Sequence, residues 1–391
     1  MAVRVPKKKV LIFSTAFHPF VGGAEVAIKE ITKRLDKSYE FDIITAMLDR
    51  NLPSFEKIDN INVFRIGNGK RPLLDKMLLP LRGAYFAYKL NKERQYSFFW
   101  GMMITFGSGA AFLCNVLNRI LRKPAIPVVL TLQEGDSESH LTYRWGGLIF
   151  IAWKLALRKT DKLTAISNFL LDRAKRIGFN GQSFLVPNGV DIKLFSQKVG
   201  VETQNKIKSE LDKNPADIFL ITVGRLTYKN ATDDLISSLS RLPQNIKLLV
   251  IGRGEDRHKL EKLTKDLSLE NRVKFLGYMD YSDIPKYLAV SDIFIRPSRS
   301  EGFGNSFIEA MAARIPVIAT PVGGIADFLD DRETGMFCAP NSPKSIANTV
   351  MALIQDKPLS NRIVEKAFNR VKDKYTWDCI ALEMKRVFDS V

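Results

Sequence analysis

The chain has 391 residues, 46% of them hydrophobic and 26% charged, with a formal net charge of +17. These proportions are those of a globular protein, and the length exceeds what one ordinary core supports, so two domains are expected. Three scattered cysteines argue against a disulfide framework and for a reducing, cytoplasmic setting, and three histidines without metal-ligand spacing argue against a structural zinc site.

In chain order, the basic run at 7–9 leads into VLIFSTA and then His18-Pro19. The apolar part is short, so it reads as a first strand rather than a leader. Strand-like runs follow at FDIITAML, INVFRIG, PVVLTLQE, KLTAIS and SFLVPNGV, alternating with amphipathic stretches such as 25–35 and 167–177. The segment 195–214 turns polar and loses its periodicity. A second set of strands then appears at IFLITVGRL, KLLVIGRG, VKFLGYM, DIFIRPS, PVIATPVGG and a shorter GMFCAP. In the tail, Trp377, Ile380, Ala381, Met384, Val387 and Phe388 recur at helical spacing. The organisation expected is α/β, with doubly wound parallel-sheet domains at 1–195 and 196–373 and a helix over 374–391. Ligands of such sheets bind beyond the carboxyl ends of the strands. No apolar run reaches the roughly 18 to 20 residues of a membrane span; the longest, WGGLIFIAW, is bracketed by Arg144 and Lys154.

Charge is unevenly spread. Residues 1–200 hold 31 Lys and Arg against 16 Asp and Glu, while the remainder holds 28 against 26. The basic half should be drawn to an anionic surface, whether phospholipid, nucleic acid or an acidic substrate. Within it, KMLLPLRGAYFAYKLNKER from Lys76 interleaves aromatics with cations. Either this stretch lies on an anionic bilayer, or Leu78, Leu81 and Tyr85 pack a helix against the sheet.

Four stretches carry chemistry. In FHPFVGGAE, Gly22-Gly23 precede a helix, where backbone N–H groups can cradle an anion or simply form a turn. TVGRLTYKN places Arg225 and Lys229 at the carboxyl end of a strand, a planar fork and a mobile point charge suited to a diphosphate. IGRGED and FLGYMD end two further strands, and Gly252, Gly254 and Tyr278 stand where main-chain groups can read a base. SRSEGFGNSFIEAMA sets Glu301 on a glycine loop and Glu309 inside the following helix, with Gly304 or Asn305 as cap. The helix start favours phosphate, Glu309 is placed for ribose hydroxyls, and Glu301 for the sugar beyond. The plainer alternatives are a capping carboxylate and an exposed loop acid.

The order GGAE, PNGVD, GRL-x-x-K, E-x7-E within EGFGNSFIEAMA, and PVIATPVGG resembles that of the retaining glycosyltransferases of family 4, over nearly the whole chain. The resemblance implies the GT-B fold: two Rossmann-like domains facing a cleft, the first for the acceptor, the second for a UDP- or GDP-sugar, and a C-terminal helix crossing back to the first. It implies catalytic roles for Arg225, Lys229 and Glu301. Donor contacts fall to Gly22, Gly23, Gly252, Gly254, Tyr278, Phe303, Gly304, Asn305, Ser306 and Glu309. Acceptor or sugar contacts fall to Gln133, Glu134 and Asn188. No metal or cofactor is expected. The basic, aromatic-rich first half favours a lipid-linked or cell-surface glycan precursor as acceptor, met on the cytoplasmic membrane face; the nearer alternative is a soluble sugar or protein acceptor.

The chain departs from the pattern at three places. Gln133 stands where a histidine is usual, with Glu134, Asp136 and His140 nearby; Lys229 comes one residue early, before Asn230; and Asn305 replaces an apolar residue. A nucleic-acid-binding protein would explain the charge but not E-x7-E. A nicotinamide-dependent dehydrogenase would require G-x-G-x-x-G, which is missing.

Overall fold

The computed structural model describes residues 7–135 and 148–391, so Asp136, His140 and Arg144 lie outside the described residues. The chain divides into two compact units, Met1–Asn188 with Trp377–Val391, and Gly189–Thr376.

The first unit is built on eight strands: β1 (Lys8–Phe13), β2 (Tyr39–Ala46), β3 (Phe55–Ile58), β4 (Ile61–Ile66), β5 (Phe98–Met102), β6 (Val128–Leu132), β7 (Lys162–Ala165) and β8 (Gln182–Leu185). Their order is β3-β4-β2-β1-β5-β6-β7-β8, and only β3, at the edge, runs antiparallel to its neighbour. Every residue of β5 and β6 is buried, which is why these strands read as continuous apolar runs rather than alternating ones. β5 itself was not expected. Its FFWGM runs without a turn signal into the apolar helix Phe106–Ile120, so periodicity alone cannot separate them.

The helix Trp377–Asp389 belongs to this unit and lies against the helix Gly23–Leu35. All six apolar side chains of its stripe are buried, with Phe388 among Tyr39, Phe98 and Trp100 at ring separations of 5.5, 4.9 and 5.2 Å. Each buried side chain of this size contributes roughly 1.5–3 kcal/mol, enough to fix the tail in place.

The second unit has six parallel strands: β9 (Ile218–Val223), β10 (Ile246–Ile251), β11 (Val273–Gly277), β12 (Ile293–Arg296), β13 (Val317–Ala319) and β14 (Met336–Phe337), ordered β11-β10-β9-β12-β13-β14. The chain winds outward one way from β9 and the other way from β12. The loops after these two neighbours therefore flank the crevice where an open α/β sheet takes its ligand.

Two expected boundaries shift. The first unit ends at Asn188, not 195, because Val190 bridges Thr376 and the Phe195 ring meets Tyr281 at 5.2 Å. The same bridge moves the return to the first unit from 374 to Trp377. The polar stretch 195–214 also contains a helix, Val201–Glu210, in which Ile207 is the buried residue. One buried apolar residue leaves too weak a periodicity to read.

Candidate active site

In the second unit, β9 delivers the chain to Gly224 and an exposed Arg225. The next turn is a short 3-10 helix, Tyr228–Asn230. Asn230 is buried and donates its side-chain amide to the Arg225 carbonyl at 2.5 Å, while Lys229 is half-exposed. Of these two, Lys229 is the one whose side chain reaches solvent.

The turn is clamped by Arg299. Its backbone N–H donates to the Lys229 carbonyl at 2.7 Å, its guanidinium bonds Asp233 twice at 2.9 Å and Asp234 at 2.7 Å, and it lies 4.4 Å from the Tyr228 ring centre. A bidentate fork of this kind fixes position as well as charge. The loop after β12 and the turn after β9 are therefore one rigid edge.

That edge continues into the helix Asn305–Ala312, capped by Gly304 at φ 96°. A left-handed cap suits glycine, and here a Cβ would also fall 2.5 Å from the Phe307 ring. Asn305 and Ser306 follow, half-exposed, in the first turn of the helix. At its far side Gly324 N–H donates to the Glu301 carbonyl at 3.2 Å, which ties PVGG to the same loop.

Beneath this edge lies Arg296, the last residue of β12 and 6% exposed. It donates to the Val223 carbonyl at 3.3 Å, to the Ser306 hydroxyl at 2.8 Å and to the Glu301 carboxylate, and it stacks on Phe307 at 4.5 Å. The other Glu301 oxygen accepts from Gly302 N–H at 3.1 Å. Glu301 is thus held at both oxygens and is not a free loop acid. Glu309 is buried on the helix; burial pushes its carboxyl up to about 7, opposed by a Tyr281 hydrogen bond and the Arg296 charge. An acid kept so dry gains from any hydroxyl that reaches it.

The remaining expected donor contacts separate. Tyr278 is exposed beneath the Arg253 guanidinium at 5.3 Å, a flat face open to a base. Gly252 and Gly254 make room for the neighbouring loop: a Cβ there would lie 1.9 Å from the Gly224 carbonyl oxygen and 2.1 Å from that of Leu226. Phe303, expected to touch donor, turns into the core, 1% exposed and 5.1 Å from the Phe328 ring. Only its main chain is left to face a ligand.

In the first unit, the Gly22-Gly23 helix start is occupied by its own Glu25 carboxyl, which accepts from the Gly22 and Glu25 backbone and is raised by burial. Gln133 and the buried Asn188 form a reciprocal amide pair at 3.2 and 3.3 Å. Glu134 is buried and receives the N–H groups of Ile104 and Gln133, so it supports the loop after β5 in place of contacting a sugar.

Arg296, Arg299 and Tyr281 were not anticipated from sequence. A cation ending an otherwise apolar strand, IFIR, is the one signal that marks Arg296. Arg299 and Tyr281 carry none, because their partners lie 65 to 66 and 28 residues away.

Two doubly wound, Rossmann-like parallel-sheet units in one chain are the architecture of the GT-B fold. Residues 21–194 match the family described as Glycosyltransferase Family 4, and residues 203–370 match Glycosyl transferases group 1. The chain belongs to glycosyltransferase family 4. An uncharacterized glycosyltransferase of Methanocaldococcus jannaschii is 27% identical over 403 residues, 97% of either chain. Among solved structures, sucrose-phosphate synthase of Thermosynechococcus elongatus superimposes with a TM-score of 0.83 at 20% identity, over 98% of this chain and 99% of that one. HepE of Anabaena, in complex with UDP-glucose, gives 0.79 at 22% identity, over 98% and 100%. At these identities the two structures bear on fold alone.

Proposed function

We propose that the protein transfers a sugar, with retained configuration, from a UDP- or GDP-sugar to a hydroxyl of a glycan or glycolipid acceptor, without a metal. The observation that carries this reading is the single rigid edge holding Arg225, Lys229, the start of the helix Asn305–Ala312, Glu301 and Glu309. The two acids then grip opposite ends of one donor: Glu309 the ribose hydroxyls, Glu301 the sugar. Between them, two cations and a helix N-terminus stabilise the charge that develops on the departing diphosphate, the work a metal does elsewhere. Both carboxylates serve binding, so no enzymatic nucleophile is invoked. The bond from the anomeric carbon to phosphate oxygen breaks, the acceptor oxygen bonds on the same face, and its proton passes to the departing phosphate. The UDP-glucose in Anabaena HepE, a protein of like fold, supports this class of donor.

For the acceptor side, the helix Pro72–Arg94 exposes Leu73, Leu74, Met77, Leu81 and Tyr85 among its cations, while Leu79, Ala84 and Ala87 turn inward. The packing alternative for Leu81 and Tyr85 is thereby disfavoured, and a peripheral position on an anionic cytoplasmic membrane face is the reading it supports. Among the described residues no helix is long and apolar enough to cross a membrane.

A thermal-shift series with UDP, GDP, ADP and NAD, with and without EDTA, tests the donor side. A ligand at one hundred times its dissociation constant stabilises the fold by about 2.7 kcal/mol. Stabilisation by UDP or GDP, insensitive to EDTA and lost in Glu309→Ala, is expected. No response to any nucleoside diphosphate overturns the reading.

A further inference from the structure

We infer that a cavity at the carboxyl ends of β1, β2 and β4 in the first unit receives a phosphate group carried by the acceptor; the inference rests on the transferase reading above. The cavity has a volume of about 600 Å³, and its walls include Phe20, Leu48, Asp49, Arg50 and Lys70. A second hollow of about 300 Å³ shares Lys70 and adds Arg71, Leu74, Asp75 and Arg82.

The cavity is a built feature. Buried Arg65 donates to the His18 carbonyl at 2.7 Å and to that of Pro53 at 3.1 Å, tying the loop after β1 to the loop after β2. Buried Asp75 accepts from Gly69 N–H at 2.9 Å and Asn68 N–H at 3.2 Å, tying the loop after β4 to the helix Pro72–Arg94. Gly69, at φ 68°, sits so close that a Cβ would fall 2.4 Å from the Arg50 backbone nitrogen. The three loops interlock, and β1, β2 and β4 are parallel, so their ends lie on one edge of the sheet.

Charge names the ligand. Arg50, Lys70 and Arg71 are exposed and have no ion-pair partner among the described residues, whereas Arg82 meets Asp75 at 3.2 Å. Four cations thus stand against two carboxylates, a surplus of two. A carboxylate would compensate half of it. A phosphate monoester, with a charge of about −1.5 to −2 at neutral pH, matches it and offers the acceptors that Arg forks bind in pairs. Phe20 and Leu74, both partly exposed, provide an apolar wall for the sugar or glycerol that bears the phosphate.

The full chain would be titrated with glucose 6-phosphate, and separately with phosphatidylcholine vesicles with and without phosphatidic acid. UDP and GDP would be titrated into the same preparations. The comparison is between wild type, R50S/K70S/R71S, and a control that removes three exposed charges elsewhere, K33S/K37S/K175S. Saturable binding of the sugar phosphate or of the phosphatidic acid vesicles is expected, weakened at least about tenfold in the first variant and unchanged in the control. The sugar phosphate arm marks a soluble phosphate ester and the vesicle arm a lipid headgroup. Nucleoside diphosphate binding should persist in both variants. If neither probe binds while UDP or GDP does, or if the control loses as much as the cavity variant, the inference is overturned. If the phosphate probe binds but no nucleoside diphosphate does, the cavity stands and the transferase reading fails.

Discussion

Glu309 holds a carboxyl raised from 4.5 to about 7 by burial, against the Tyr281 bond and the Arg296 charge. The folded state therefore binds more protons than the unfolded chain between these values. Its stabilising share is complete below pH 4.5, fades as pH rises towards 7, and is absent above. Glu309→Gln removes that penalty, so it should be more stable than wild type at about pH 8, by up to about 3 kcal/mol, with the difference vanishing at low pH. Urea melts at the two pH values check this. On the proposed donor pose the same variant should lose nucleoside diphosphate affinity, and wild-type affinity should fall as pH drops below 7, because an ionised carboxylate accepts hydroxyl hydrogen bonds better than a protonated one. Arg296 is a positioning residue, acting through Glu301 and Ser306. Arg296→Lys keeps the charge but not the fork. UDP affinity should change little, while the extra affinity of the whole nucleotide sugar falls by about tenfold and kcat with it. Calorimetric titration with UDP and UDP-sugar separates the two; equal losses would assign Arg296 to the phosphates instead.

At the scale of elements, the helix Asn305–Ala312 depends on its cap. Gly304→Ala places a Cβ against Phe307 in a left-handed backbone and should cost about 1–3 kcal/mol, read by chemical denaturation, with nucleoside diphosphate binding weakened in the same preparation. Much of this element was legible: SEGFG demanded glycine torsions, and NSFIEAMA announced a helix. Phe303 was not. Its neighbours in sequence are loop residues, and only Phe328 and Tyr375, 25 and 72 positions on, draw the ring inward. β5 and the helix Val201–Glu210 escaped for opposite reasons: the first is apolar on both faces, and the second is polar on nearly all of its surface.

For the whole molecule, the surplus of charge in the first 200 residues includes the exposed cations of the helix Pro72–Arg94 and of the cavity at its start. Binding to anionic vesicles should be strong at low salt and lost near 1 M salt, where the screening length shrinks to about 3 Å. Leu81→Ser with Tyr85→Ser should weaken it while leaving thermal stability nearly unchanged, since both side chains are more than half exposed. Pelleting with vesicles measures the first and a melt the second. Absence of pelleting at low salt would remove the membrane from the reading.

Sequence by itself determined the doubled α/β architecture and the order of its motifs, and it singled out Arg225, Lys229, Glu301 and Glu309 as candidates for the site. All of these are signals carried by residues within about a dozen positions of one another, where period, glycine torsions and capping act. Tertiary structure alone decided which groups are held and which are free. Arg296 takes hold of Glu301, Arg299 stiffens the Lys229 turn, Glu25 fills the Gly22-Gly23 helix start, and the neighbouring loop fills the space at Gly252. Two of these contacts, Arg299 with the Lys229 turn and Gly252 with Gly224, join chain segments tens of residues apart. Burial and charge pairing depend on distance in space, which a local pattern of residues does not record.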